Sequence, residues 1–166
     1  ELLNEPVPGQ WASVALRAAK AIRAVDTRHR IVYAVTGTMI AHTTTVAPLT
    51  GINNQMIAYH FWNWPEIQYS TTARYGSAGH TRADLRRILV AARDSQTRTG
   101  SRIYISQVGM YRDNPSAAAF LSDFTSICTE LEIPLTVHAY AENVVWNYET
   151  AGNPATWAAL LRWLAQ

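Results

Sequence analysis

Residues 55–65 read QMIAYHFWNWP, and the fold turns on how this run is read. From Met56 to Phe61 nearly every side chain is apolar or aromatic. A strand with one wet face would alternate apolar and polar residues, so a continuous run implies a strand covered on both faces. Its length suits a strand better than a helix, and Asn63 and Pro65 interrupt it.

The same texture recurs on either side, at 1–6 (ELLNEP), 30–37 (RIVYAVTG), 101–109 (SRIYISQVG) and 133–143 (IPLTVHAYAEN). Helical spacing fills most of the gaps. Trp11, Val14, Ala15, Ala18, Ile22 and Val25 recur on one face over residues 10–25. Thr81 and Asp84 fit a capping box ahead of Leu85, Ile88, Leu89 and Ala92. Asn114-Pro115 signals a helix start before Phe120, Leu121, Phe124, Ile127, Cys128 and Leu131, and Asn153-Pro154 does so before Trp157, Leu160, Leu161 and Leu164. Residues 38–54 read as a long polar loop. Five strand positions alternating with four helices predict an α/β fold with parallel strands and crossover helices. At 166 residues the chain is one domain, 1–166.

Composition excludes several classes. With 48% hydrophobic and 16% charged residues and no run of like charge, the sequence is globular rather than disordered. The net charge of +2 comes from scattered arginines rather than a basic stripe with aromatics, which argues against nucleic acid as a partner. No apolar stretch approaches the roughly 18 residues of a membrane span. Cys128, the single cysteine, falls in an apolar rhythm and reads as a small core side chain. His42 reads as a solvated loop residue, no spacing resembles a metal site, and no glycine pattern resembles a phosphate loop.

In parallel α/β sheets, ligands bind at the carboxyl ends of the strands. Those ends carry Asn4-Glu5, Thr36-Gly37, His60-Phe61-Trp62, Gln107 and His138 to Asn143. Aromatic faces stack on sugar rings, while amide, imidazole and carboxylate groups bond hydroxyls, so this rim suits a carbohydrate. Trp62 and Trp64 are the candidate stacking platforms.

Four rim motifs follow one another: LLNEP (2–6), APLTGINNQMIAYHFWNWPE (47–66), IYISQVG (103–109) and LTVHAYAENVVWNYE (135–149). In that order they resemble the second part of a glycoside hydrolase family 5 catalytic domain, of the cellulase and β-mannanase type in the retaining (β/α)8-barrel clan. The resemblance implies a partial TIM barrel corresponding to strands four to eight, with no cofactor. It assigns Glu5 to the general acid/base and Asn4 to the residue bonding the 2-hydroxyl. His60 takes the place of the His in His-x-Tyr, and Trp62 that of the Tyr. Asn143 stands where some members have Trp. Gln107 falls where the family has its nucleophilic Glu.

A carboxamide has no anionic oxygen with which to attack an anomeric carbon. Three readings of Gln107 stay open: an introduced Glu→Gln change, a natural substitution in a non-catalytic relative, or a different register in which Glu142 or Glu66 is the working acid. The second is favoured, because Trp62 and Asn143 depart from the family pattern too. The expected function is a glycoside hydrolase-like domain for β-1,4-linked polysaccharide, inactive as written. The alternatives are a carbohydrate-binding pseudo-enzyme and a scaffold fragment. Because the first residues read as a fourth strand, three earlier strands are expected to lie outside this chain. Its open sheet would then need a complementary barrel segment from the same protein, a separate chain or a second copy. The family resemblance further implies an extracellular location.

Overall fold

The computed structural model describes residues 1–7, 9–36, 46–139, 142, 145–149 and 154–166. Its elements run α1 (Trp11–Arg23), β1 (Ile31–Ala34), β2 (Gln55–Phe61), α2 (Pro65–Gln68), α3 (Arg82–Thr99), β3 (Arg102–Val108), α4 (Ala117–Glu130), β4 (Leu135–Val137) and α5 (Pro154–Leu164). The strands form one sheet in the order β1-β2-β3-β4, and every pairing is parallel. Four parallel strands alternating with helices are the α/β arrangement expected from the apolar runs, and they match the partial (β/α)8 barrel that the family resemblance implies.

Each helix forms for a local reason. The indole of Trp11 opens α1, donates from Nε1 to the Ala34 carbonyl at 2.7 Å, and stacks on Tyr33. One turn apart behind it, Ala15 and Ala19 let the helix lie close to the sheet. The predicted capping box is present in α3: the Thr81 hydroxyl takes the Asp84 N–H, and Asp84 takes the Thr81 N–H. At the other end Gly100 adopts φ 67 and closes the helix with a bond to the Gln96 carbonyl. On α4, Phe120, Leu121, Phe124, Ile127 and Cys128 are all buried. Cys128 is thus the core side chain anticipated, and burial pushes its thiol pKa up.

Two expectations need correction. Residues 1–7 form no strand; Leu2 N–H bonds the Val32 carbonyl at 3.0 Å, and Glu5, at φ 44, turns the backbone out of an extended path. Four strands are therefore present among the described residues rather than five. Ile105 is fully buried with Ile57, Tyr59 and Ile103 in the helix-covered core. Helix α4 starts at Ala117 instead of directly after Asn114, because Pro115 and Ser116 form a separate turn that Asn114 braces. The short α2 follows β2, and Pro65 at its first turn starts it. His42 lies outside the described residues.

Candidate functional site

The strands aim their carboxyl ends at one rim, and a bulge decides which side chains reach it. Tyr59 is level with Ile105 and His60 with Gln107, so β3 carries an extra residue, Ser106, between the two pairs. The same slip occurs against β4, where Ile105 pairs with Leu135 and Val108 with Val137. Side chains alternate faces along a strand, so a regular β3 would turn Ser106 to the concave face and Gln107 toward the helices. With the bulge, Gln107 lies beside His60 on the concave side.

Two hydrogen-bonded groups result. With Glu5 as carboxylate, His60 Nδ1 donates to Glu5 Oε1 at 3.0 Å. His60 is 4% exposed, and its Nε2 has no hydrogen-bond partner among the described residues, with Glu1 Oε1 at 4.0 Å. Beside it, Trp62 Nε1 donates to Gln107 Oε1 at 3.3 Å, and Gln107 Nε2 donates to Asn4 Oδ1 at 2.8 Å. An indole N–H only donates, so Trp62 fixes which end of the Gln107 amide is oxygen. Asn4, Glu5, His60, Trp62 and Gln107 are thereby brought together.

One of the other candidates stands elsewhere. Trp64 lies in the core layer, 6% exposed, edge-on to Phe61 and His80 and tilted against Phe120 and Tyr75. It offers no stacking face. Asn143 lies outside the described residues. Trp62 is at the rim, but its ring is covered by Tyr69, His138 and Trp146, leaving its N–H as the group it turns to the site. Of the alternative acids, Glu66 pairs with His80 at 2.6 Å and Glu142 with His138 at 2.9 Å.

Sequence reasoning missed the scaffolding. Gln68 is fully buried; its Nε2 donates to the Phe61 and Gly109 carbonyls and its Oε1 accepts from Trp64 N–H, tying the ends of β2 and β3 to α2. Tyr148 hydroxyl accepts from Met110 N–H at 3.0 Å and donates to the Met110 carbonyl at 2.7 Å, and burial pushes its pKa up. Tyr69, Tyr111 and Trp146 complete an aromatic cluster around Trp62. Only Gly109 left a trace in the sequence, since a glycine just past a strand marks close backbone approach. Among the described residues no group of three His, Cys, Asp or Glu could hold a metal ion. No described helix is long and apolar enough to cross a membrane.

No family model and no curated protein matches the sequence. Solved structures do match. Endoglucanase Cel5A from the hyperthermophilic Thermotoga maritima superposes with a TM-score of 0.84 at 19% identity, over 95% of this chain and 57% of its own. The cellulose synthase subunit Z of Clostridioides difficile gives 0.81 at 13% identity, over 96% and 60%. A broad-specificity endoglucanase of the GH5-4 group from Clostridium longisporum gives 0.75 at 15% identity, over 93% and 50%. The Thermotoga enzyme has been solved with cellobiose and with mannotriose. The chain therefore has a glycoside hydrolase family 5-like fold and spans about half to three-fifths of the length of these proteins.

Proposed function

We propose that the protein is a glycoside hydrolase-like domain for β-1,4-linked polysaccharide, of the endoglucanase or mannanase type, that holds its sugar without cleaving it. The observation carrying this reading is the Gln107 amide, bonded to Asn4 and Trp62 in the cluster that also contains Glu5. Retaining hydrolysis needs two carboxyl groups about 5 to 5.5 Å apart, one to protonate the leaving oxygen and one to attack C1. Here one of the two positions is neutral. The amide can donate to and accept from hydroxyls, but its oxygen gives an oxocarbenium-like centre little stabilisation. Glu5 is left able to bond a sugar hydroxyl and without a partner for double displacement.

Cellobiose and mannotriose in the Thermotoga enzyme support the choice of sugar class. The partner is then an oligosaccharide or polysaccharide met outside the cell. A complementary barrel segment is the second partner, covering the open edges of the sheet. Reducing-sugar assays on soluble β-glucan and β-mannan test the reading. Wild type is expected to release none, while calorimetry with a cello- or manno-oligosaccharide registers binding. Gln107→Glu is the gain-of-function control for the missing carboxylate. Sugar release by wild type would overturn the assignment, and so would the absence of any oligosaccharide binding.

A further inference from the structure

The stacking platform expected at Trp62 is closed by the rings around it, yet the same cluster reopens one residue shell further out. Tyr69 lies on Trp62 with ring centroids 5.4 Å apart and planes 25° from parallel. Tyr111 and Trp146 meet it edge-on at 5.8 and 5.7 Å. Despite these three neighbours Tyr69 is 41% exposed, whereas Trp62 and Trp146 are buried. It is held in place by α2: its N–H bonds the Pro65 carbonyl at 3.0 Å, and the adjacent Gln68 is the buried brace between Phe61 and Gly109. A ring fixed from behind and open in front loses little freedom when a flat ligand settles on it.

The polar half of a sugar site is close by. Trp62, against which Tyr69 lies, donates to Gln107, and Gln107 sits level with the His60 that bonds Glu5, so Tyr69 flanks the cluster that holds Glu5; burial raises the Tyr69 pKa, and the Glu5 carboxylate adds to it. Among the described residues no side-chain hydrogen bond engages the Tyr69 hydroxyl. We infer that Tyr69 forms a pyranose-binding subsite beside Glu5, its ring stacking on the apolar face of one sugar unit and Glu5 bonding a hydroxyl of that unit or the next. This rests on the sugar-holding reading above and adds to it the residue that supplies the stacking surface.

The test is calorimetry of the whole chain with cellotetraose and mannotetraose, comparing wild type with Tyr69→Ala, Tyr69→Leu and Tyr69→Phe. Leucine keeps apolar bulk against Trp62, so it guards against a loss caused only by collapse of the cluster; circular dichroism checks that each variant is folded. Ala and Leu are expected to raise Kd for the preferred tetraose by on the order of tenfold, with Phe within about threefold of wild type. If folded Ala and Leu variants bind as wild type does while Asn4→Ala weakens binding, the subsite is overturned and the sugar-holding reading stands. If wild type binds neither tetraose, both fall.

Discussion

Gly109 shows how one missing carbon shapes the rim. It follows β3, and a Cβ built on it would come inside 3.0 Å of the His138 carbonyl oxygen, with Trp146 and the Tyr148 hydroxyl each at 3.2 Å. The first obstacle is backbone at the end of β4, which cannot rotate away as a side chain would. Gly109→Ala is therefore expected to force the two strand ends apart and to destabilise the protein by about 1 to 3 kcal/mol, the usual range for overpacking. Urea titration followed by tryptophan fluorescence checks this, since Trp62 and Trp146 sit against the displaced His138. An unchanged midpoint would mean that the β4 end moves freely. Glu5 has the opposite character: it carries a side chain at φ 44, where most residues avoid being, and it does so while bonded to His60. Such a conformation persists because its surroundings impose it.

At the level of elements, the helices were legible and the edge details were not. Helix signals are local: the Thr81-Asp84 box and the spacing of Leu85 and Leu89 need nothing beyond one turn of chain, and both are found as read. Strand pairing depends on partners distant in sequence. ELLNEP has strand composition but forms no strand among the described residues, and nothing in it announces the turn at Glu5. The bulge at Ser106 was equally invisible, because YISQVG reads the same whether or not one residue is left unpaired. Yet the bulge is what gives Gln107 its place at the site. The rim motifs pointed to Asn4, Glu5, His60, Trp62 and Gln107, while Trp64 misled because an aromatic near a strand end can turn inward as easily as outward. Deleting Ser106 is expected to return β3 to regular alternation and swing Gln107 toward the helices. Oligosaccharide binding should then be lost, with a fall in Tm of at least about 2 to 4 °C, the shift for roughly 1 kcal/mol in a chain of this size. A folded deletion variant with wild-type sugar affinity would show that the bulge does not position the site.

The whole molecule is an open sheet with its apolar surface unevenly covered. Closure is what removes edges from a barrel, and here β4 ends the sheet order, with one side unpaired among the described residues. Next to that side, β4 and α5 border an apolar cavity of about 270 Å³ lined by Leu135, Val137, Trp157, Leu160, Trp163 and Leu164. Leu161 and Leu164 on α5 are exposed, as are Leu3 and Val7 ahead of α1. An unpaired strand edge beside an apolar groove has the chemistry to accept a βα unit, whose strand would extend the ladder while its helix filled the groove. This is the surface through which the complementary segment of the proposed function is expected to act, and it makes the chain's solution behaviour informative. Light scattering at increasing concentration is expected to give masses above the 18.5 kDa of one chain. Leu161→Lys with Leu164→Lys should shift the distribution toward the single chain, because two exposed leucines become charges without touching the core. A well-folded single chain at every concentration, unaffected by those changes, would show that the sheet is stable with its edge uncovered.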